Sequence, residues 1–267
     1  MPLFKIDNLN YQVEDKIFFK DFNLEIENGE YISIIAPNKS GKSMLTKIIC
    51  AIIPTTDFCI LDDILLNKEN VLKYITKIGI VTNDINNPFI FKKVKDELKY
   101  PLTNLGYSDY QINKTISKTC DFFNINDLLN KNIEDLTKSD KSKLLIVLAL
   151  IHNPKLLVLD DAFNSMNRET RVFMLNKLKE LNSNGLTILN ITSNLNTIYD
   201  SSKVYVMNKY KLVNEGEVDE ILKGDSKLLK MGIEIPYIVD LSLKLISYGL
   251  IDKIYFSYDK LESALWS

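Results

Sequence analysis

Two short stretches of the 267-residue chain carry residue types that could do chemistry together. Residues 36–43 read APNKSGKS and residues 156–163 read LLVLDDAF. In the first, Gly41 lets the backbone approach an anion closely, Lys42 brings a compact positive charge, and Ser43 offers a hydroxyl. That pattern belongs to a loop whose backbone amides, with the N-terminus of the following helix, surround phosphate groups. In the second, an apolar run ends in carboxylates. Asp160 is placed to hold Mg²⁺, directly or through water, with Ser43 opposite. Asp161 stands where an attacking water would be polarised. A paired aspartate alone would be an ordinary strand end; the loop upstream favours the metal role.

The loop itself is altered. Ala36 stands where the phosphate-loop pattern opens with glycine, and Lys39 adds a side chain inside the nest of amides. If either position needs a positive φ, the cost is about 1–2 kcal/mol. Such a cost weakens phosphate binding without abolishing it. Pairing of Lys39 with a phosphate would partly offset that cost, but its ammonium is expected to go to solvent.

The surrounding pattern supplies the elements that must hold these residues. Phe4 and Ile6, then Phe22, Leu24 and Ile26, alternate as strands do, and Asn28-Gly29 reads as a turn. YISII at 31–35 is a short β-branched run suited to a buried strand, and MLTKIICAII at 44–53 has helical spacing. Strand, loop and helix together are the context that makes SGKS credible. Further strands are expected at 78–81, 156–159, 187–191, 204–207 and 211–213, with a helix around 168–181. Between Pro88 and Ile151 the pattern is helical, with loop signals at Pro101 and Gly106 and a cap-like TKSD at 137–140. The alternation implies an α/β core interrupted by a helical insert. Residues 226–267 read as a separate tail with amphipathic segments around LKLISYGL.

Composition excludes more than it identifies. A net charge of −2 gives no global argument for nucleic acid or an anionic surface. Arg168 and Arg171 are the only arginines, and glycine numbers only 9, which reads as an A/T-rich coding bias. The cysteines Cys50, Cys59 and Cys120 show no metal-ligand spacing and read as reduced thiols. The start of the chain does not read as a signal peptide. The longest apolar run, 144–151, falls far short of the roughly 20 residues that span a bilayer. One histidine, His152, leaves no Ser-His-Asp set to build.

These residues resemble the ATP-binding subunits of ABC transporters over almost the whole chain. APNKSGKS matches that family's G-P-N-G-S-G-K-S, and KIGIVTNDINNPFI is similar to its V-G-x-V-F-Q-N-P segment. EDLTKSDKSKLLIVLALIHNPKLLVLDDAFNSMN resembles its L-S-G-G-Q-K-Q-R through D-E-A-T-S-M-L-D stretch, and LNITSNL its I-x-I-T-H-D-L. The segment MGIEIPYIVDLSLKL resembles G-L-D-I-P-x-x-x-x-L-x-x-x-L, which follows the core in energy-coupling factor ATPases of cobalt and vitamin uptake.

The resemblance implies an α/β, RecA-like P-loop NTPase core at 1–87 and 153–225 with an antiparallel β subdomain. It also implies a helical subdomain at 88–152 and a small C-terminal extension at 226–267. It implies ATP and Mg²⁺ as ligands. The nucleotide would lie on Asn38, Lys39, Ser40, Gly41, Lys42, Ser43 and Met44, and the metal on Ser43 and Asp160. The expected partners are a second ATP-binding subunit, a transmembrane coupling protein lying near 83–89 and a substrate-capturing membrane protein, with no nucleic acid. The expected location is the cytoplasmic face of the membrane.

The departures fall on the chemistry. The positions of the family's glutamine, base-position glutamate and switch histidine correspond to Asn83, Asp161 and Ser193. Its dimer-face aspartate corresponds to Asn167. The signature becomes Leu136 followed by Thr137, Lys138, Ser139 and Asp140, which also reads as a plain helix cap. The leading expectation is a nucleotide-binding importer subunit whose own hydrolysis is weak or absent. Both halves of a composite site are altered on one chain, which points to a heterodimer with a competent ATPase. The alternatives are an ordinary transport ATPase with Asp161 as a short base, and a non-transport scaffold or regulator. For stacking on adenine, Tyr11 and Val13 both stand near the family's position.

Overall fold

The computed structural model describes residues 1–53, 57–82 and 89–266. The chain begins with a hairpin of β1 (Phe4–Val13) and β2 (Lys16–Ile26), paired antiparallel from Phe4↔Ile26 to Val13↔Lys16. Phe4 and Ile6, and Phe22, Leu24 and Ile26, turn inward between more exposed neighbours, and a register shift after Ile6 brings Leu9 inward as well. This is the period-two pattern of a half-buried sheet. Next come β3 (Tyr31–Ile35), α1 (Lys42–Ile49), β4 (Cys59–Leu61), β5 (Ile64–Leu65), α2 (Val71–Ile75) and β6 (Ile78–Val81). β4 and β5 extend the hairpin into a four-stranded antiparallel sheet ordered β2-β1-β4-β5.

Three helices follow: α3 (Val94–Asn104), α4 (Asp109–Phe123) and α5 (Lys138–Leu150). The chain then returns through β7 (Leu156–Asp160), α6 (Arg168–Ser183), β8 (Thr187–Thr192), β9 (Lys203–Asn208) and β10 (Lys211–Gly216). The second sheet runs β10-β9-β3-β8-β7-β6, parallel throughout except for β10. Every residue of β3, β7 and β8 is buried. A parallel sheet covered on both faces demands such continuous apolar runs, which is why these strands are legible as YISII and LLVLD. Gly79 lets α5 approach β6, because a Cβ there would collide with the carbonyl of Ala149.

Two readings are corrected. Pro101 marks no loop; it lies inside α3. An interior proline costs about 3 kcal/mol, but Leu98 and Leu102 on either side are fully buried, and their packing outweighs it. Glu97 in the same helix is buried, and its carboxylate accepts the amides of Ile90 at 3.0 Å and Phe91 at 2.7 Å. The final residues also do not stand apart. After β10 come α7 (Val218–Lys223), α8 (Asp225–Lys230), α9 (Tyr237–Ser247) and α10 (Tyr258–Leu265). Leu228, Ile238, Val239 and Leu261 share one apolar cluster with Ile35, Val204 and Val206. The amphipathic faces seen in the sequence are therefore used against the main sheet.

Candidate functional site

β3, an interior strand, delivers the chain to the phosphate loop at the carboxyl end of the parallel sheet, where the Ala36 amide donates to Thr192 O at 3.0 Å. Ala36 is fully buried and keeps a negative φ, so the missing glycine costs no backbone strain there. The penalty falls on Lys39, at φ 62, while Gly41 sits at φ 110. Asn38, Lys39 and Ser43 are exposed and Met44 is half-buried. The first turn of α1 has no side-chain cap and no acidic residue, leaving its amides open to an anion.

Lys42 is buried and folded onto the loop, donating to Ala36 O at 3.0 Å and Pro37 O at 3.1 Å. Ser40 is buried with no partner for its Oγ among the described residues. An orphaned hydroxyl inside a nest of amides is a polar group whose partner the protein does not supply. These residues fit a bound polyphosphate.

The acidic pair lies across from the loop at the end of β7. Asp160 is buried, and that burial raises its pKa above the usual carboxylate range. The Ser43 hydroxyl facing it, together with Lys42 and Thr46, pulls the other way. A hydroxyl and a carboxylate are hard oxygen ligands, suited to Mg²⁺ that keeps several waters and phosphate oxygens. Asp161 occupies the left-handed region at φ 49, with its amide bonded to Ile191 O at 2.9 Å. Its Oδ1 accepts from Ser193 N at 2.9 Å, Ser193 Oγ at 3.2 Å and Thr192 Oγ1 at 3.3 Å. Its Oδ2 lies 3.6 Å from Lys42 Nζ.

The structure thus brings together Lys42, Ser43, Asp160, Asp161 and Ser193. Asn83 lies outside the described residues. The 137–140 segment forms the start of α5. Thr137 Oγ1 donates to Asp140 Oδ2 at 2.7 Å and accepts from Asp140 N at 3.1 Å. Lys138 is exposed, and Ser139 Oγ accepts from Asn167 N at 3.4 Å. Asn167 caps α6 through Thr170 N at 2.8 Å. His152 is bonded to Ile78 O at 3.1 Å, away from these groups. Burial pushes the Cys59 thiol up to about 12 and Cys120 to about 11, so neither offers a thiolate.

Of the two stacking candidates, Tyr11 is half-buried against Phe18, ring centroids 6.1 Å apart, and Val13 is exposed. A residue not singled out in the sequence touches the phosphate loop instead. Tyr210, at the β9–β10 turn, donates its amide to Ser40 O at 2.9 Å. Its only sequence signal is a tight turn lacking glycine.

The family model described as ABC transporter matches residues 19–164, which include the phosphate loop, the 137–140 segment and both aspartates. The chain belongs to the ABC transporter family. Membership carries ATP binding with it. Among relatives, the energy-coupling factor transporter ATP-binding protein EcfA1 of Leuconostoc mesenteroides is 27% identical over 246 residues, 90% of each chain. EcfA of Pediococcus pentosaceus is 26% identical, over 98% of this chain and 95% of that protein. Among solved structures, cbiO1 from Clostridium perfringens, described as part of the ABC transporter complex cbiONQ, superposes with TM-score 0.76. It is 23% identical and covers 89% of this chain and 97% of its own. A dimeric bacterial ABC transporter cassette gives TM-score 0.72 at 23% identity, over 80% of this ABC chain and 98% of that one. The two structures speak to the fold.

Proposed function

We propose that this chain is the ATP-binding subunit of an energy-coupling factor type importer, holding MgATP while hydrolysing it weakly or not at all. The relatives named for energy-coupling factor transporters, matched over most of their length, support the transporter class. In this reading Lys42 and the loop amides hold the β- and γ-phosphates, and Ser43 and Asp160 hold Mg²⁺, which neutralises phosphate charge when bound. Asp161 orients Ser193 and Lys42 rather than removing a proton from water. One observation carries the hydrolysis reading: the gripping residues are complete, while the base-position carboxylate is turned onto Ser193, Thr192 and Lys42.

The chain works beneath a transmembrane coupling protein, alongside a substrate-capturing membrane protein, and pairs with a competent ATPase. No helix among the described residues is long and apolar enough to cross a membrane, so attachment comes from those partners. Steady-state turnover tests this directly. The purified chain alone is expected to bind MgATP in calorimetry yet show negligible phosphate release. Turnover of several per second by the chain alone would overturn the reading.

A second reading, an active transport ATPase, rests on the retention of a carboxylate at 161 within the site. It requires Asp161→Asn to abolish turnover.

A further inference from the structure

The β9–β10 hairpin turns through Lys209 and Tyr210, between the paired residues Asn208 and Lys211. Both central residues have positive φ, 45 and 65. Two-residue turns of this kind favour Asn-Gly or Asp-Gly, because a Cβ in the left-handed region costs roughly 1–2 kcal/mol. An aromatic residue there is an outlier, and such strain persists only where the surroundings over-determine it.

The surroundings do so. Tyr210 packs edge-on to Phe18 at 5.1 Å and Phe19 at 5.6 Å between ring centroids. Its other side lies against the phosphate loop. A Cβ on Gly41 would overlap the Tyr210 ring, falling 2.7 Å from Cε1. Gly41 therefore lacks a side chain for two reasons: its φ of 110, and the ring that takes the space. The Tyr210 amide donates to Ser40 O at 2.9 Å, so the ring and the backbone of one residue grip two consecutive loop residues.

We infer that Tyr210 is a positioning residue for the phosphate loop, holding Ser40 and Gly41 so that their amides face the anion. This deepens the nucleotide reading and rests on it. The need for such a clamp follows from the loop's composition. Lys39 stands in the left-handed region with an exposed side chain, so the loop carries strain that relaxation would relieve. Among the described residues, the one hydrogen bond to the Ser40-Gly41 corner from outside the loop and α1 comes from this hairpin, and the Tyr210 ring lies nearest the space above Gly41. The tip of β9–β10 thus sets the phosphate affinity of the site, and movement of the hairpin would weaken it.

The test compares Tyr210→Gly, Tyr210→Asn and Tyr210→Phe in the full chain. Glycine and asparagine accept the left-handed backbone and remove the ring; phenylalanine keeps it. Three quantities are read: amide hydrogen exchange across 38–43 without nucleotide, MgATP affinity by calorimetry, and the thermal midpoint. Exchange in the loop is expected to quicken at least tenfold in the Gly and Asn variants, with about tenfold weaker MgATP binding, while exchange in the rest of the molecule stays native even though loss of the ring's packing lowers the midpoint somewhat. The Phe variant should match the native chain within twofold.

Native loop exchange in both ringless variants overturns the inference. So does equal weakening in the Phe variant, or exchange quickened across the whole molecule, which would mark a general structural role. If the native chain takes up no MgATP while loop exchange still quickens in the ringless variants, the nucleotide reading falls and the clamp stands. If the native chain binds and all variants bind and exchange alike, the clamp falls and the nucleotide reading stands.

Discussion

Asp161 accepts from the amide of Ser193 at 2.9 Å and from its hydroxyl at 3.2 Å, while its second oxygen lies 3.6 Å from Lys42. Its main chain sits at φ 49, which fixes the direction in which this short side chain can reach. Replacing its carboxylate with an amide of the same size keeps the reach and removes the base. In the assembled transporter we expect Asp161→Asn to change single-turnover hydrolysis at this chain's phosphate loop by less than about threefold, whereas loss of a working base costs roughly 10²–10⁴. A drop of that larger size would restore Asp161 as the base.

Asp160 is expected to trade stability for binding. Burial raises its pKa above the unfolded value, so the native state binds a proton more readily than the unfolded chain. At pH 7 the ionised carboxylate therefore costs the nucleotide-free fold stability, a cost that falls as pH drops toward the native pKa. Asp160→Asn removes the charge. Its thermal midpoint without ligand should exceed that of the native chain at pH 7, and the two should converge in acid. The gain that saturating MgATP gives the native chain, about 2.7 kcal/mol at a hundred times Kd, should largely vanish in the variant. Differential scanning fluorimetry at several pH values, with and without MgATP, reads both effects.

The phosphate loop, the acidic strand end and the parallel strands were legible because each is written in contiguous residues. YISII and LLVLD are buried throughout and apolar but for Ser33 and Asp160, since both sheet faces are covered. The short strands β4 and β5 escaped, being three and two residues long. Their turn is Asp62-Asp63, at φ 48 and 61, where a glycine would have announced it. The turn between β9 and β10 was expected from the flanking strands, but nothing local marked Tyr210 as a contact of the phosphate loop, 170 positions away in sequence from Ser40. Pro101 misled for another reason: local propensity argued against a helix that the burial of Leu98 and Leu102 enforces. The bonding of Asp161 to Ser193 joins residues 32 positions apart, and no spacing rule within one element reaches that far.

His152 gives the fold a sensitivity to mild acid. Burial lowers its pKa, and the hydrogen bond to Ile78 O opposes this in part. A histidine whose native pKa is depressed is neutral in the fold. Its contribution is present above the unfolded value near 6.5 and is lost as pH falls through the native value, because the unfolded chain gains a proton first. Midpoints measured from pH 7.5 down to 5 should fall for the native chain and fall less for His152→Gln, which retains a donor for Ile78 O. Parallel curves would show that other groups dominate this window.

Lys39 offers the cleanest measure of what the altered loop costs. Its φ of 62 lies where a Cβ is penalised by about 1–2 kcal/mol, and its exposed side chain makes no described bond to offset that. Glycine at this position removes the penalty but gives the unfolded chain more freedom, which returns about 0.4–1 kcal/mol. The net expectation for Lys39→Gly is a gain of up to about 1 kcal/mol, or roughly 2–4 °C in thermal midpoint for a chain of this size. MgATP binding should tighten in the same variant, since a loop at rest in its binding conformation has less to reorganise. A variant that is stabilised yet binds more weakly would mean that the Lys39 ammonium reaches a phosphate and that its charge outweighs the strain.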